Sequence, residues 1–127
     1  MHPTRSYIVA ALLLLLTNAC DHDPADDPII GSWRAYSVEE EGRELAVDLN
    51  DIRLRFDETG TYHFHGTLNQ TEAGPFRRRK DILITQDTLH SGSGPRTVQI
   101  SLLAADTLVL LMQEAGKKRT LSLQREF

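Results

Sequence analysis

The chain has 127 residues, of which 25% are charged and 40% hydrophobic, and its formal net charge is −4. That is one domain's worth of residues with ordinary apolar content, which supports a compact core and excludes fibrous and intrinsically disordered classes. The acidic balance also leaves no electrostatic footprint for nucleic acid.

The first nineteen residues read as a segment separate from the folded domain. Arg5 supplies a positive charge, Tyr7 to Leu16 is an uncharged apolar run, and Ala19 is the small residue expected before a cleavage point. This predicts a signal peptide over residues 1–19. A spanning helix needs about 20 apolar residues, so the run is too short for a permanent transmembrane segment. Directly after it stands Cys20, the chain's one cysteine. In an exported chain it has no intramolecular disulfide partner, so it is free, bridged to another chain, or modified. Its placement resembles the lipobox of bacterial lipoproteins, in which the cysteine is lipidated and becomes the mature N-terminus. The departure is Thr17, which stands where that pattern favours leucine, with Leu16 one step further out.

Residues 20–28 then form an acidic linker. Loss of Arg5 with the leader takes the net charge from −4 to −5, and Asp21, Asp23, Asp26 and Asp27 carry four of those negatives, leaving −1 for residues 29–127. With Pro24 and Pro28 in it, the segment is expected to be an extended, solvated tether. Acidic residues just after the cysteine also resemble the surface-export signal of Bacteroidota-type lipoproteins; the alternative is a spacer facing the periplasm.

From Ile29 onward the hydrophobic period is two. "GSW" opens the first predicted strand, which places the small residues Ala35 and Ser37 inward, and "GRELAVDLND" has room for a short helical turn. "IRLRF" sets Ile52, Leu54 and Phe56 on one face, "DETG" makes a hairpin turn, and "TYHFHGTL" sets Tyr62, Phe64, Gly66 and Leu68 inward. "NQTEAGP" and "HSGSGP" read as the longer loops, and "FRRRKDILITQ" as one strand or two. Further on the inward positions are Val98, Ile100 and Leu102, then Leu108, Leu110 and Met112, then Leu121, Leu123, Arg125 and Phe127. The predicted fold class is all-β: a small up-and-down antiparallel barrel of about eight strands over residues 29–127, after a lipoprotein signal peptide and a short acidic linker. Closure removes the sheet edges; a two-sheet sandwich is the alternative.

"GSW", Gly31 to Trp33, resembles the Gly-x-Trp signature of lipocalin-like barrels, and the domain resembles the small calycin-type, lipocalin-like lipoproteins of Bacteroidota-type bacteria. The resemblance implies that Trp33 closes one barrel end with a basic side chain across its ring, for which Arg125 is the candidate. It also implies a small apolar or amphipathic ligand, with Leu54, Phe56, Tyr62, Phe64, Val98, Ile100, Leu108, Leu110 and Leu121 as candidate lining residues. The domain is shorter than a typical lipocalin, and an eight-stranded barrel is also narrow enough to be filled by such side chains.

Other constellations have plainer readings. His63 and His65 project from one face but lack an identifiable third ligand, so no metal is expected. "FRRRK" reads as a solvated strand, and "EEE" at Glu39 to Glu41 as a strand end and turn. "SGSG" at Ser91 to Gly94 lacks the spacing of a nucleophile elbow, and there is no glycine-rich phosphate loop, so neither an enzyme nor a cofactor is expected. The expected setting is the bacterial cell envelope, lipid-anchored through Cys20 at the outer membrane. Two roles remain open: binding a small ligand, or a non-enzymatic scaffold with a filled barrel that meets a protein partner.

Overall fold

The computed structural model describes residues 26–127. The predicted signal peptide, Cys20 and the linker up to residue 25 lie outside the described residues. The rest is a closed antiparallel barrel built from β1 (Gly31–Glu40), β3 (Arg53–Phe56), β4 (Thr61–His65), β5 (Thr71–Arg79), β6 (Ile82–Thr85), β7 (Arg96–Leu103), β8 (Thr107–Glu114) and β9 (Lys117–Glu126). A two-residue strand, β2 (Arg43–Glu44), adds to β1 at one end. Strands pair in chain order, and β1 closes the ring by pairing with β9 from Ser32↔Glu126 to Glu40↔Arg119. Among the described residues no helix is long and apolar enough to cross a membrane.

The alternation explains the closure. Each strand sends one apolar row inward, and the rows meet in a core containing Trp33, Phe56, Leu83, Leu108 and Leu123, all essentially buried. Two bulges interrupt the alternation and correct the predicted parity. A register shift between Ala35 and Ser37 turns Ser37 outward and brings Val38 in. Another between Ile100 and Leu102 leaves Leu102 48% exposed, while Leu103 packs against the core. Leu68 and Phe127 are also exposed rather than inward. The chain leaves β4 before Leu68, which sits at φ 58° in the turn Thr67–Asn69, and Phe127 lies beyond the last strand pair.

"FRRRKDILITQ" is two strands, with Lys80 and Asp81 at the bend between them. "NQTEAGP" is a connection only at Asn69 and Gln70: β5 begins at Thr71 and runs through Gly74 and Pro75. Gly74 serves a close approach instead of a turn. The Gln86 carbonyl lies where a Cβ on residue 74 would be, because the chain from Gln86 to Thr88 still pairs with β5 through Gln86 N–H to Pro75 O and Thr88 N–H to Ala73 O.

One end of the barrel is sealed. The turn Asp27–Ile30 crosses it, stitched by Ile30 N–H to Asp27 O at 3.0 Å, and Ile29 is completely buried. Trp33 donates its indole N–H to Ile29 O at 2.9 Å. The Arg125 guanidinium carbon lies 4.2 Å from the Trp33 ring centroid, a cation–π geometry. The same guanidinium donates to the carbonyls of Ile30 at 2.8 Å, Pro28 at 2.7 Å and Ala105 at 2.7 Å. Gly31, at φ 138°, leaves the space that this guanidinium occupies. Asp27 is therefore not part of a solvated tether: both its carboxylate oxygens accept from Arg78 Nε at 3.0 Å. Arg78 has the inward parity of β5 and is correspondingly not a solvated residue, its side chain being 18% exposed.

Arg125→Ala removes the cation–π contact and leaves three carbonyls short of a donor, so it is expected to cost on the order of 3 kcal/mol and lower Tm by roughly 10–20 °C. Thermal unfolding followed by far-UV circular dichroism checks this. Gly74→Ala, which forces a methyl against backbone, is expected to cost about 1–3 kcal/mol in the same measurement.

Candidate functional site

Away from the Trp33 end the barrel is hollow. A cavity of about 390 Å³ opens between the connections at the other end, where Leu45 and Val47, Gly66 and Thr67, and Arg96 form its rim. That volume sits at the low end of the range for small-molecule sites, about 300–1,000 Å³. Phe56 and Leu83, both about 1% exposed, line its deep part. A row of aliphatic side chains from β1, β3, β7, β8 and β9 makes the walls: Val38, Leu54, Val98, Leu110 and Leu121.

Of the candidate lining residues, Leu54, Phe56, Tyr62, Phe64, Val98, Leu110 and Leu121 face the cavity. Ile100 and Leu108 do not: they are 5% and 0% exposed and belong to the packed core outside the cavity lining. Leu108 follows the Ala104–Asp106 connection at the sealed end, where it pairs with Leu123 and Leu103 and no space remains. Trp33 and Arg125 stand together in that sealed end and take no part in the cavity.

Apart from Tyr62, the polar residues of the site are ones that the apolar reading passed over. Tyr62 donates its hydroxyl to Glu72 Oε1 at 3.1 Å, and burial, reinforced by the Glu72 charge, pushes its phenol well above the ordinary value. Thr85, 8% exposed, lines the cavity nearby. Nearer the rim, Arg96 Nη1 lies 3.4 Å from Glu114 Oε1, and Arg119 Nη2 lies 3.5 Å from Glu40 Oε2; Glu40 and its other neighbour, Lys117 at 3.9 Å, stand outside the cavity lining. Arg119 Nε is buried and has no hydrogen-bond partner among the described residues. Each was within reach of the alternation rule. Arg96 is two residues before Val98, Glu114 two after Met112, and Arg119 two before Leu121, so all continue inward rows. Glu40, read as a turn residue, is the last residue of β1 and pairs with Arg119 across the ladder.

The outer surface carries the remaining constellations. His63 Nε2 lies 3.2 Å from Asp57 Oδ2, and His65 Nδ1 lies 2.8 Å from Asp51 O. Among the described residues no group of three or more His, Cys, Asp or Glu is placed to hold a metal ion. Asp57 anchors the β3–β4 hairpin by accepting from the Thr59 hydroxyl and from the Thr59 and Thr61 amides. The scan of protein-family models finds no match to this chain, and the search of curated proteins finds none.

The Thr59 hydroxyl bond, joined by the Thr61 amide and His63, lowers the Asp57 pKa from 3.8 to about 2. A carboxylate with a depressed folded pKa contributes stability above its unfolded pKa and loses it as pH falls through the folded one. Equilibrium denaturation from pH 5 to 2 is therefore expected to show stability falling between about pH 4 and 2, with a shallower fall in Asp57→Asn. Equal slopes would remove Asp57 as a source of the acid sensitivity.

Proposed function

We propose that this chain is a lipid-anchored lipoprotein of the bacterial cell envelope whose lipocalin-like barrel binds a small amphipathic ligand. The observation that carries the reading is the cavity: about 390 Å³, apolar in its depth, polar at its rim and sealed at the opposite end. The Gly31-to-Trp33 signature with Arg125 over the indole supports the lipocalin likeness, and the leader ending at Cys20 supports the anchor. Binding, with no covalent chemistry, is the activity we assign. Covering about 300 Å² of apolar surface would contribute about 7 kcal/mol before association costs, which sets micromolar affinity as the expected scale.

A second reading, a scaffold for a protein partner, draws on the outer face of β7, β8, β9 and β1. Leu102, Val109, Ser122 and Ser37 form one cross-strand row there, with Tyr36 beside Ser37 in the bulge; Leu102 and Tyr36 are 48% and 51% exposed.

The barrel's closure, its core and the Asp27–Arg78 pair all lie within residues 26–127, so a chain starting at Asp21 carries the whole fold. Purified from a bacterial periplasm, that chain is expected to show an extra mass under native conditions that is lost on denaturation. A bare polypeptide mass, unchanged after incubation with envelope lipid extract, would overturn ligand binding and turn the search to the outer face. For the full chain, Cys20→Ala is expected to move the protein from the membrane fraction to the soluble fraction; retention in the membrane fraction would sink the anchor.

A further inference from the structure

The charged side chains that line the cavity differ in whether they are paired, and the difference points to the charge of a ligand. Four of them line it: Arg96, Arg119, Glu72 and Glu114. Arg96 faces Glu114 at 3.4 Å, and Arg119 faces Glu40, from outside the lining, at 3.5 Å. Glu72 alone of the four forms no ion pair among the described residues. What it has is the Tyr62 hydroxyl, which donates to Oε1 at 3.1 Å. Burial, with the Glu72 and Asp87 charges acting in the same direction, pushes that phenol well above its ordinary value, so Tyr62 stays neutral and lends the carboxylate a dipole but no counter-charge. A carboxylate half-buried on an apolar wall is costly until a cation meets it, so a cation delivered by a ligand supplies what the free protein lacks.

The surroundings of Glu72 suit an ammonium group. An ammonium carries three N–H donors and no acceptor, and this wall offers acceptors: the Glu72 carboxylate, the Thr85 hydroxyl and the side-chain oxygen of Gln70, all in the cavity lining. Phe64 stands directly across the ladder from Glu72, and its ring reaches over Gly66, where a Cβ would meet Cε2 at 2.9 Å. A cation beside that ring and the Tyr62 ring gains the attraction of an aromatic face as well as the ion pair. The rest of the lining is the aliphatic and aromatic floor already described, and at about 30 Å³ for each water-sized group 390 Å³ holds about a dozen non-hydrogen atoms. We propose that the cavity takes a primary amine with an apolar body of about that size, its ammonium held by Glu72 beside Phe64 and its body reaching Phe56 and Leu83. This rests on the ligand-binding reading above and names the ligand class and the residue that selects it.

The test uses the chain from Asp21 and three probes that share one body and differ in the head: 4-phenylbutylamine, 4-phenylbutan-1-ol and 4-phenylbutanoate, each titrated by isothermal calorimetry at neutral pH. The amine is expected to bind about tenfold or more tighter than the alcohol, the scale of a charge-assisted contact. Glu72→Gln, which keeps an acceptor for the Tyr62 hydroxyl and removes the charge, is expected to abolish that preference while affinity for the alcohol stays within about threefold. Phe64→Leu is expected to weaken the amine about threefold more than the alcohol, and it serves as the readout should Glu72→Gln fail to fold. Equal binding of amine and alcohol overturns the head-group assignment and leaves the cavity reading standing. A preference that survives Glu72→Gln removes Glu72 as the selecting group, and tighter binding of 4-phenylbutanoate overturns the proposal in favour of Arg96 or Arg119. Failure of all three probes to bind also overturns it, and ligand binding itself falls only if the native mass is bare as well.

Discussion

One guanidinium holds the sealed end together. Arg125 reaches from the last strand to carbonyls before the first strand and in the β7–β8 connection while lying across Trp33, so three segments distant in sequence meet at one cation. Without it, the turn that carries Ile29 into the barrel would keep, besides the packing of Ile29, the indole bond and the Asp27–Arg78 pair as its polar links. Everything about the cavity follows from that plug: a tube open at both ends is a channel, and a tube closed at one end is a container with a defined depth. The unusual backbone at Gly31 belongs to the same device, because a side chain there would displace the cation that the device needs.

The two ends of β9 make an instructive pair. Arg125 and Arg119 have the same side chain, the same strand and the same inward parity, six residues apart. At one end the guanidinium is saturated by three main-chain acceptors and an aromatic face, and it acts as structure. At the other it has one distant carboxylate and a buried donor without a partner. Hydrogen-bond accounting, not residue type, separates the arginine that closes the barrel from the one that does not.

Much of this architecture was legible in the sequence because a closed barrel has one rule, alternation, and the chain obeys it over most strands. "IRLRF" and, up to Arg125, "TLSLQREF" announce their inward faces, and "DETG" announces its turn. Legibility failed where local signals have two physical meanings. Gly74 and Pro75 look like loop punctuation, yet one admits a neighbouring carbonyl and the other tolerates a strand position. The bulges before Ser37 and Leu102 carry no compositional mark, so the parity of the residues directly after each, Val38 and Leu103 among them, had to come from three-dimensional pairing. Arg78 looked like one charge in a basic run until its acidic partner arrived from residue 27. The cavity was illegible for a different reason: hollow and filled barrels present the same inward rows, and which of them results depends on how the strands are staggered around the ring.

With Cys20 as a membrane anchor, where the chain enters the barrel would bear on which way the barrel faces. Asp27 is fastened at the plugged end, and between it and Cys20 there are seven residue steps, at most about 25 Å of extended chain. With Cys20 as the membrane anchor proposed above, the plugged end would be the one tethered nearer the bilayer and the rim the one further from it. A ligand would then arrive and leave through the aqueous side, and the barrel would exchange its cargo with water or with another soluble carrier in preference to drawing it sideways out of its own membrane.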